Sequence, residues 1–280
     1  NANQLEELLI AKRTRLFPMF HYSGRPDFVT HALLNGRFAL LIDGAPTVLL
    51  APVNLTYLLK TGEDNEVYFI YNSAERLLRT FALVVAITIP GFWVALITFH
   101  QNQLPFILLV SLGQIRQGIP LPYHLEAFTM LIIFELFREA GQRLPTAVGQ
   151  TLSVVGGLII GDAAIRAGLT NPGTIVVIAT SVVATFSLVN HSLIGTIVLL
   201  RIYIMALSSF LGMFGFLVAT FSILIYLANL RSYGIPYLFP VAPLHFRDML
   251  NSIFRTPWKV KDKRPAFVKT NEDVRQGKKK

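Results

Sequence analysis

Apolar positions are distributed along the chain in two regimes. Up to residue 79 they come in short runs broken by charge. Beyond it, four stretches carry no Asp, Glu, Lys or Arg: 80–115 (36 residues), 144–161 (18), 167–200 (34) and 202–230 (29). A transmembrane helix needs roughly 20 predominantly apolar residues. Four such stretches in one chain exclude an ordinary soluble enzyme and predict a mainly α, polytopic helical membrane protein.

The first regime predicts a small α+β portion. Residues 2–16 have the spacing of an amphipathic helix. Pro26 stands where a helix starts, and 28–35 are mildly helical. Two β-prone runs, 38–42 and 47–51, flank Asp43-Gly44, which is a strong hairpin signal. Residues 55–79 are helical at both ends around an acidic loop at 62–66.

In the second regime the expected full spans are 81–99, 146–166, 174–190 and 202–229. Pro90-Gly91 falls inside the first and predicts a kink or interruption. Residues 104–112 are too short to cross, and with the 124–143 helix they are read as embedded, re-entrant or interfacial. Six crossings result if 104–119 and 121–138 each span. Asn190-His191-Ser192 interrupts the apolar run before the longest span. Tyr226, Tyr233, Tyr237 and Phe239 are placed as aromatic anchors at the membrane interface.

Charge sharpens this picture. Residues 1–79 hold eight basic and eight acidic residues, 80–246 six and four, and 247–280 eleven and four, so the last segment supplies +7 of the net +9. A basic surplus beside the final apolar segment places the tail in the cytoplasm and gives it an attraction for anionic lipid. It carries no folded basic motif, so nucleic acid is not an expected partner. The organisation is therefore 1–79 as a cytoplasmic α+β portion, 80–246 as the transmembrane domain and 247–280 as a basic cytoplasmic tail. The chain begins at Asn1, and 1–79 are read as the remnant of a larger domain.

No catalytic constellation is present. There are no cysteines and six histidines, none paired at metal-ligand spacing beside carboxylates. Phosphate-binding loops and nucleophile elbows are missing as well, so neither a metal nor a cofactor is expected and the chain is read as non-enzymatic. The informative residues are polar, small or charged groups inside apolar helices. Thr146, Gln150, Ser153, Gly157, Gly161 and Ala164 follow offsets of 4, 3, 4, 4 and 3 and share one helical face. Two readings stay open for that stripe. One is close helix packing through small residues. The other is an uncharged pore face, with Val154 beside it as a hydrophobic constriction. The intramembrane ionisable residues are Glu126, Glu135, Asp162 and Arg166. Glu126 and Glu135 are nine residues apart, about 180° around a straight helix, so one is free to face a cation path and the other a subunit contact. Glu135–Arg138, Glu139–Arg143 and Asp162–Arg166 have the spacing of ion pairs along a helix.

A series of motifs then resembles a known family. Arg25-Pro-Asp27, Gly36-Arg-Phe-Ala-Leu-Leu-Ile-Asp-Gly44, Phe134-Glu-Leu-Phe-Arg-Glu-Ala-Gly141, Arg143-Leu-Pro145, Gly149-Gln150, Val155-Gly-Gly-Leu-Ile-Ile-Gly161 and Leu230-Arg-Ser-Tyr-Gly-Ile-Pro-Tyr237 occur in order. Together they resemble the GerA family, the A subunits of spore germinant receptors, over about 17–265. Stage V sporulation protein AF is a paralogue in the same family, and the resemblance leaves open whether the chain belongs to that branch. Gln117 stands where an acidic residue is frequent in the family, and Asp162 where some members carry Gln.

The resemblance implies a subunit of the spore inner membrane that works with receptor B and C subunits. It implies self-association, as a pentamer, into a nutrient-gated channel for monovalent cations whose opening triggers germination. On that reading Gln150, Ser153, Val154, Gly157 and Gly161 line the pore. Two other roles compete. A secondary transporter is suggested by the proline-broken helices, although no internal repeat accompanies them. A non-conducting scaffold of the receptor cluster is the third.

Overall fold

The computed structural model describes residues 2–10, 15–65, 67–116, 118–143, 157 and 159–253. The chain divides into two compact units. The first gathers the residues up to Phe81, Leu188–Thr196 and those from Leu224 onward, and the second holds Ala82–Ser187 and Ile197–Ile223.

The first unit is built on a three-stranded antiparallel sheet. Its strands are β1 (His21–Ser23), β2 (Phe38–Leu40) and β3 (Val48–Ala51), with β3 in the centre. Phe38 pairs with Ala51 and His21 with Leu50. The hairpin expected around Asp43-Gly44 is therefore present, and Gly44 takes the positive φ of 74° that its turn requires. Strand β1, which the pattern did not predict, closes the other edge of β3. Helix α1 covers Ala2–Ile10, and α2 (Pro26–Leu34) starts on Pro26 as expected. A short α3 (Leu55–Leu58) follows the sheet.

The core of this unit is aromatic. Phe17 packs against Tyr226 and Tyr237, and Tyr233 packs edge-on to both Phe20 and Phe38. Tyr237 is fully buried, and its hydroxyl donates to Pro18 O at 3.0 Å. Phe239 is buried too. This corrects the reading of Tyr237 and Phe239 as interfacial anchors: they are core residues of the sheet unit. Burial pushes the Tyr237 phenol up, with Tyr226 adding to the shift. Asp64 is also buried, between Arg76 (3.1 Å) and Arg79 (2.8 Å). Burial alone opposes its charge, but Thr61, Arg79 and Arg76 outweigh that and hold its pKa below the ordinary value.

Helix α4 (Phe69–Phe99) has 31 residues, about 46 Å at 1.5 Å per residue. It runs unbroken through Pro90, so the expected interruption does not occur. Helix α5 (Phe106–Arg116) is only 11 residues long, about 16 Å, and too short to cross a bilayer. Helix α6 is Tyr123–Arg143, residues 159–166 are helical, and α7 is Pro172–Phe186. α7 stops short of residue 190 because Asn190 caps the next helix, accepting from Ser192 N at 3.0 Å.

That next helix, α8 (His191–Asn229), is the main departure from the pattern. Gly212, inside it, has φ 61° and ψ −139°, and two helices meet there. The Tyr203 and Ser222 hydroxyls are 3.0 Å apart. Nineteen residues of straight helix would separate them by about 28 Å, so the arms fold back side by side. The expected single span over 202–229 is instead the second part of one arm and the whole of the return. A side chain at Gly212 would meet the left-handed φ and the Phe99 ring at 3.0 Å. Phe69–Phe99 is long and apolar enough to cross a membrane, and Ser192–Asn229 meets the same measure of length and composition when counted through the Gly212 reversal. A two-stranded β4–β5 ribbon (Arg231–Ser232, Ile235–Pro236) and an amphipathic α9 (Phe246–Ile253) follow.

Candidate functional site

The second unit contains a polar centre whose origin is Pro90. In an α-helix the carbonyl of residue i−4 accepts from the N–H of residue i, and proline has no N–H. Pro90 therefore leaves the Ala86 carbonyl without its helical donor, inside an apolar unit where an unpaired carbonyl is costly. Two side chains supply the missing donors. Ser181 Oγ on α7 donates to Ala86 O at 2.9 Å, and Arg201 Nε on α8 donates to it at 2.8 Å.

Arg201 is fully buried and makes two further bonds. One terminal nitrogen donates to Ser181 O at 3.2 Å, the other to Glu135 Oε1 at 2.8 Å. The second oxygen of Glu135 accepts from Arg138 Nε at 2.7 Å. One arginine thus ties α4, α6, α7 and α8 together, with two guanidinium groups sharing one carboxylate. Around this centre Val94, Met130, Leu131, Ile178, Val182 and Met205 form an apolar cluster that keeps water away. Gly91 lets the helices approach, since a Cβ there would lie 2.4 Å from Ile204 Cγ2.

Glu126 forms a second polar node. Its carboxylate is completely buried and accepts from the backbone N–H of Asn171 and from the Asn171 side chain at 3.1 and 3.4 Å. Asn171 in turn caps α7, accepting from Thr174 N at 2.8 Å and donating to Thr174 Oγ1 at 2.9 Å. Glu126 and Glu135 are both taken up by partners within this chain, Asn171 for the first and Arg201 and Arg138 for the second.

The other expected residues divide. The Glu135–Arg138, Glu139–Arg143 and Asp162–Arg166 pairs all form, at 2.7, 2.7 and 2.8 Å. Glu139, Arg143, Asp162 and Arg166 are more than half exposed. Gln150, Ser153 and Val154 lie outside the described residues. A Cβ on Gly157 would sit 3.4 Å from Phe134, and one on Gly161 3.7 Å from Ile175. Those two glycines therefore pack against α6 and α7. Arg201 was missed. Its signal was present, as the one charged residue separating two charge-free stretches of 34 and 29 residues.

In the first unit His21 is buried, and its Nδ1 is 3.0 Å from the Asn190 amide nitrogen. Burial, and then the nearby Arg37 charge, push its pKa down to about 4. Arg37 lies over the Tyr57 ring at 3.7 Å. Among the described residues no group of three or more His, Cys, Asp or Glu is placed to hold a metal ion.

Comparison with known proteins decides the relationship. The family model described as Bacillus/Clostridium GerA spore germination protein matches residues 1–267. The chain belongs to the GerA family. It is 48% identical over 273 residues to spore germination protein XA of Bacillus anthracis, covering 98% of this chain and 56% of that protein. It is 36% identical over 274 residues to spore germination protein KA of Bacillus subtilis, covering 98% and 50%. An uncharacterized membrane protein of the same organism, YfkQ, is 38% identical over 263 residues, covering 94% and 51%. The chain thus spans about half the length of the curated relatives it matches. No solved structure matches it.

Proposed function

We propose that this chain is the membrane-embedded part of the A subunit of a spore nutrient germinant receptor. It acts without enzymatic chemistry, in the spore inner membrane and beside receptor B and C subunits. There it oligomerises, as a pentamer, into a nutrient-gated path for monovalent cations. The family match over 1–267 carries the germination role. The conducting role is supported by the exposed ion pairs of the membrane unit. Asp162 and Arg166 are 57% and 79% exposed, and Glu139 and Arg143 are 53% and 77%. Charge at membrane depth is costly against lipid and belongs against water or protein. A ring of copies around an aqueous path supplies both. Gln150, Ser153 and Val154 line that path, and Gly157 and Gly161 hold their helix against its neighbours.

Liposomes carrying the complete subunit test this reading. Potassium efflux above that of empty liposomes, raised further by Val154→Ala, supports conduction. Efflux unchanged by substitutions at Gln150, Ser153 and Val154 overturns the pore assignment.

A further inference from the structure

The apolar return arm of α8 ends at Asn229, and Leu224, Ile225 and Tyr226 are exposed in its last two turns. An apolar helix that ends on exposed apolar side chains and a tyrosine has the composition of a span reaching the headgroup layer. The chain does not leave that level. Tyr237 N donates to Leu230 O at 2.9 Å, and the Asn54 side-chain amide donates to Phe239 O at 2.9 Å. Residues 237–239 are thereby held beside the helix end, with Tyr237 and Phe239 facing inward as core residues.

The next six residues turn apolar groups outward. Val241, Leu244 and Phe246 are 48%, 53% and 67% exposed. Phe246 also opens α9, whose residues at 246, 249, 250 and 253 are all apolar and share one face by three- and four-residue spacing. Residues 247, 248, 251 and 252 are polar. The helix packs on α3, where Met249 is half-buried, while Phe246 at its start stays open. A run of exposed apolar side chains beside an amphipathic helix marks a contact with lipid or protein. Charge selects between them. The 34 residues from Arg247 to Lys280 carry eleven basic and four acidic residues, and an anionic bilayer surface offers an apolar layer and negative charge together at this level.

We propose that Val241, Leu244 and Phe246 insert at the headgroup boundary of an anionic leaflet, with α9 lying along the surface and the basic chain after it drawn to the same lipid. The inference rests on the membrane-embedded reading given above. To the general attraction of a basic tail it adds a defined apolar footing. It also assigns to these three residues the interfacial role that Tyr237 and Phe239 do not fill.

The test uses the full chain in nanodiscs of phosphatidylcholine, with and without phosphatidylglycerol. The chain has no cysteine, so a spin label is attached at one introduced site at a time: Leu244→Cys, Phe246→Cys, Leu217→Cys on the exposed face of the return arm, or Asp43→Cys in the exposed hairpin turn. Collisions of each label with oxygen, which partitions into lipid, are compared with collisions with a water-soluble nickel chelate. Leu217 and Asp43 set the lipid and water limits. With phosphatidylglycerol present, the ratio of oxygen to nickel collisions at 244 and 246 is expected severalfold above that at 43, and to fall severalfold without that lipid or in high salt. A water-like ratio at 244 and 246 beside a lipid-like ratio at 217 overturns the proposal and leaves the membrane reading standing. A water-like ratio at 217 overturns both. Shielding of 244 and 246 from both reagents shows that protein covers the surface, and insertion that is equal with and without phosphatidylglycerol removes the anionic requirement; either result overturns the proposal.

Discussion

Arg201→Met tests the polar centre most sharply. Methionine fills much of the arginine volume, so the change removes hydrogen bonds and charge more than packing. Three bonds go: to Ala86 O, to Ser181 O and to Glu135. Breaking a buried ion pair by deleting one partner costs about 3–5 kcal/mol. Here Glu135 keeps Arg138, and Ala86 O keeps the Ser181 hydroxyl. The loss therefore falls at the low end, about 3 kcal/mol. The cause makes a further demand. Pro90→Ala restores a backbone N–H that can reach Ala86 O within the helix, so in its presence Arg201→Met should cost about 1 kcal/mol less. Equilibrium unfolding in mixed micelles, run as a double-mutant cycle, reads both numbers. A loss below about 1 kcal/mol for Arg201→Met, or no coupling to Pro90→Ala, refutes the account of the centre.

Three other outcomes follow from the same geometry. Gly212→Ala forces a side chain into φ 61° and toward Phe99, and should cost about 2 kcal/mol or more in the same unfolding assay. Asn171→Ala removes both the cap of α7 and the side-chain donor to Glu126. It should cost about 2–3 kcal/mol, while Glu126→Gln in that background should recover part of the loss. For His21 the folded pKa is lowered from 6.5 to about 4, so between these values the unfolded chain binds the extra proton. Its contribution is complete above pH 6.5 and is lost as pH falls toward 4. Melting temperatures between pH 7 and 4.5 should fall less steeply in His21→Asn than in the parent.

Much of the sheet unit was legible in the residues. Asp43-Gly44 between β-prone runs identified the β2–β3 hairpin, and Pro26 marked the start of α2, because both signals act through local backbone conformation. The ion pairs of α6 were legible for the same reason: three- and four-residue spacing fixes proximity on a helix. The reversal in α8 was not. Gly212 sits in an uninterrupted apolar run, where glycine reads equally as a packing position, and only its φ separates the two. The aromatic residues at 226–239 follow the composition of a membrane interface, yet Tyr237 and Phe239 pack on the sheet, since large rings satisfy either environment. Arg201 was half legible. Pro90 points four residues back to an orphaned carbonyl at Ala86, but its donors come from 95 and 115 residues away, and such pairing is set by tertiary packing alone.

The central claim, that Gln150, Ser153 and Val154 face an ion path, is tested most directly by thiol accessibility. The chain contains no cysteine, so each introduced thiol is the sole target within it. Cysteine is placed in turn at Gln150, Ser153, Val154, Leu152 and Val155, and potassium efflux from proteoliposomes is followed before and after a charged, water-soluble thiol reagent. The account predicts rapid modification and altered flux at 150, 153 and 154, with 152 and 155 unreactive. Equal reactivity at all five positions, or modification at 150, 153 and 154 that leaves flux unchanged, contradicts it.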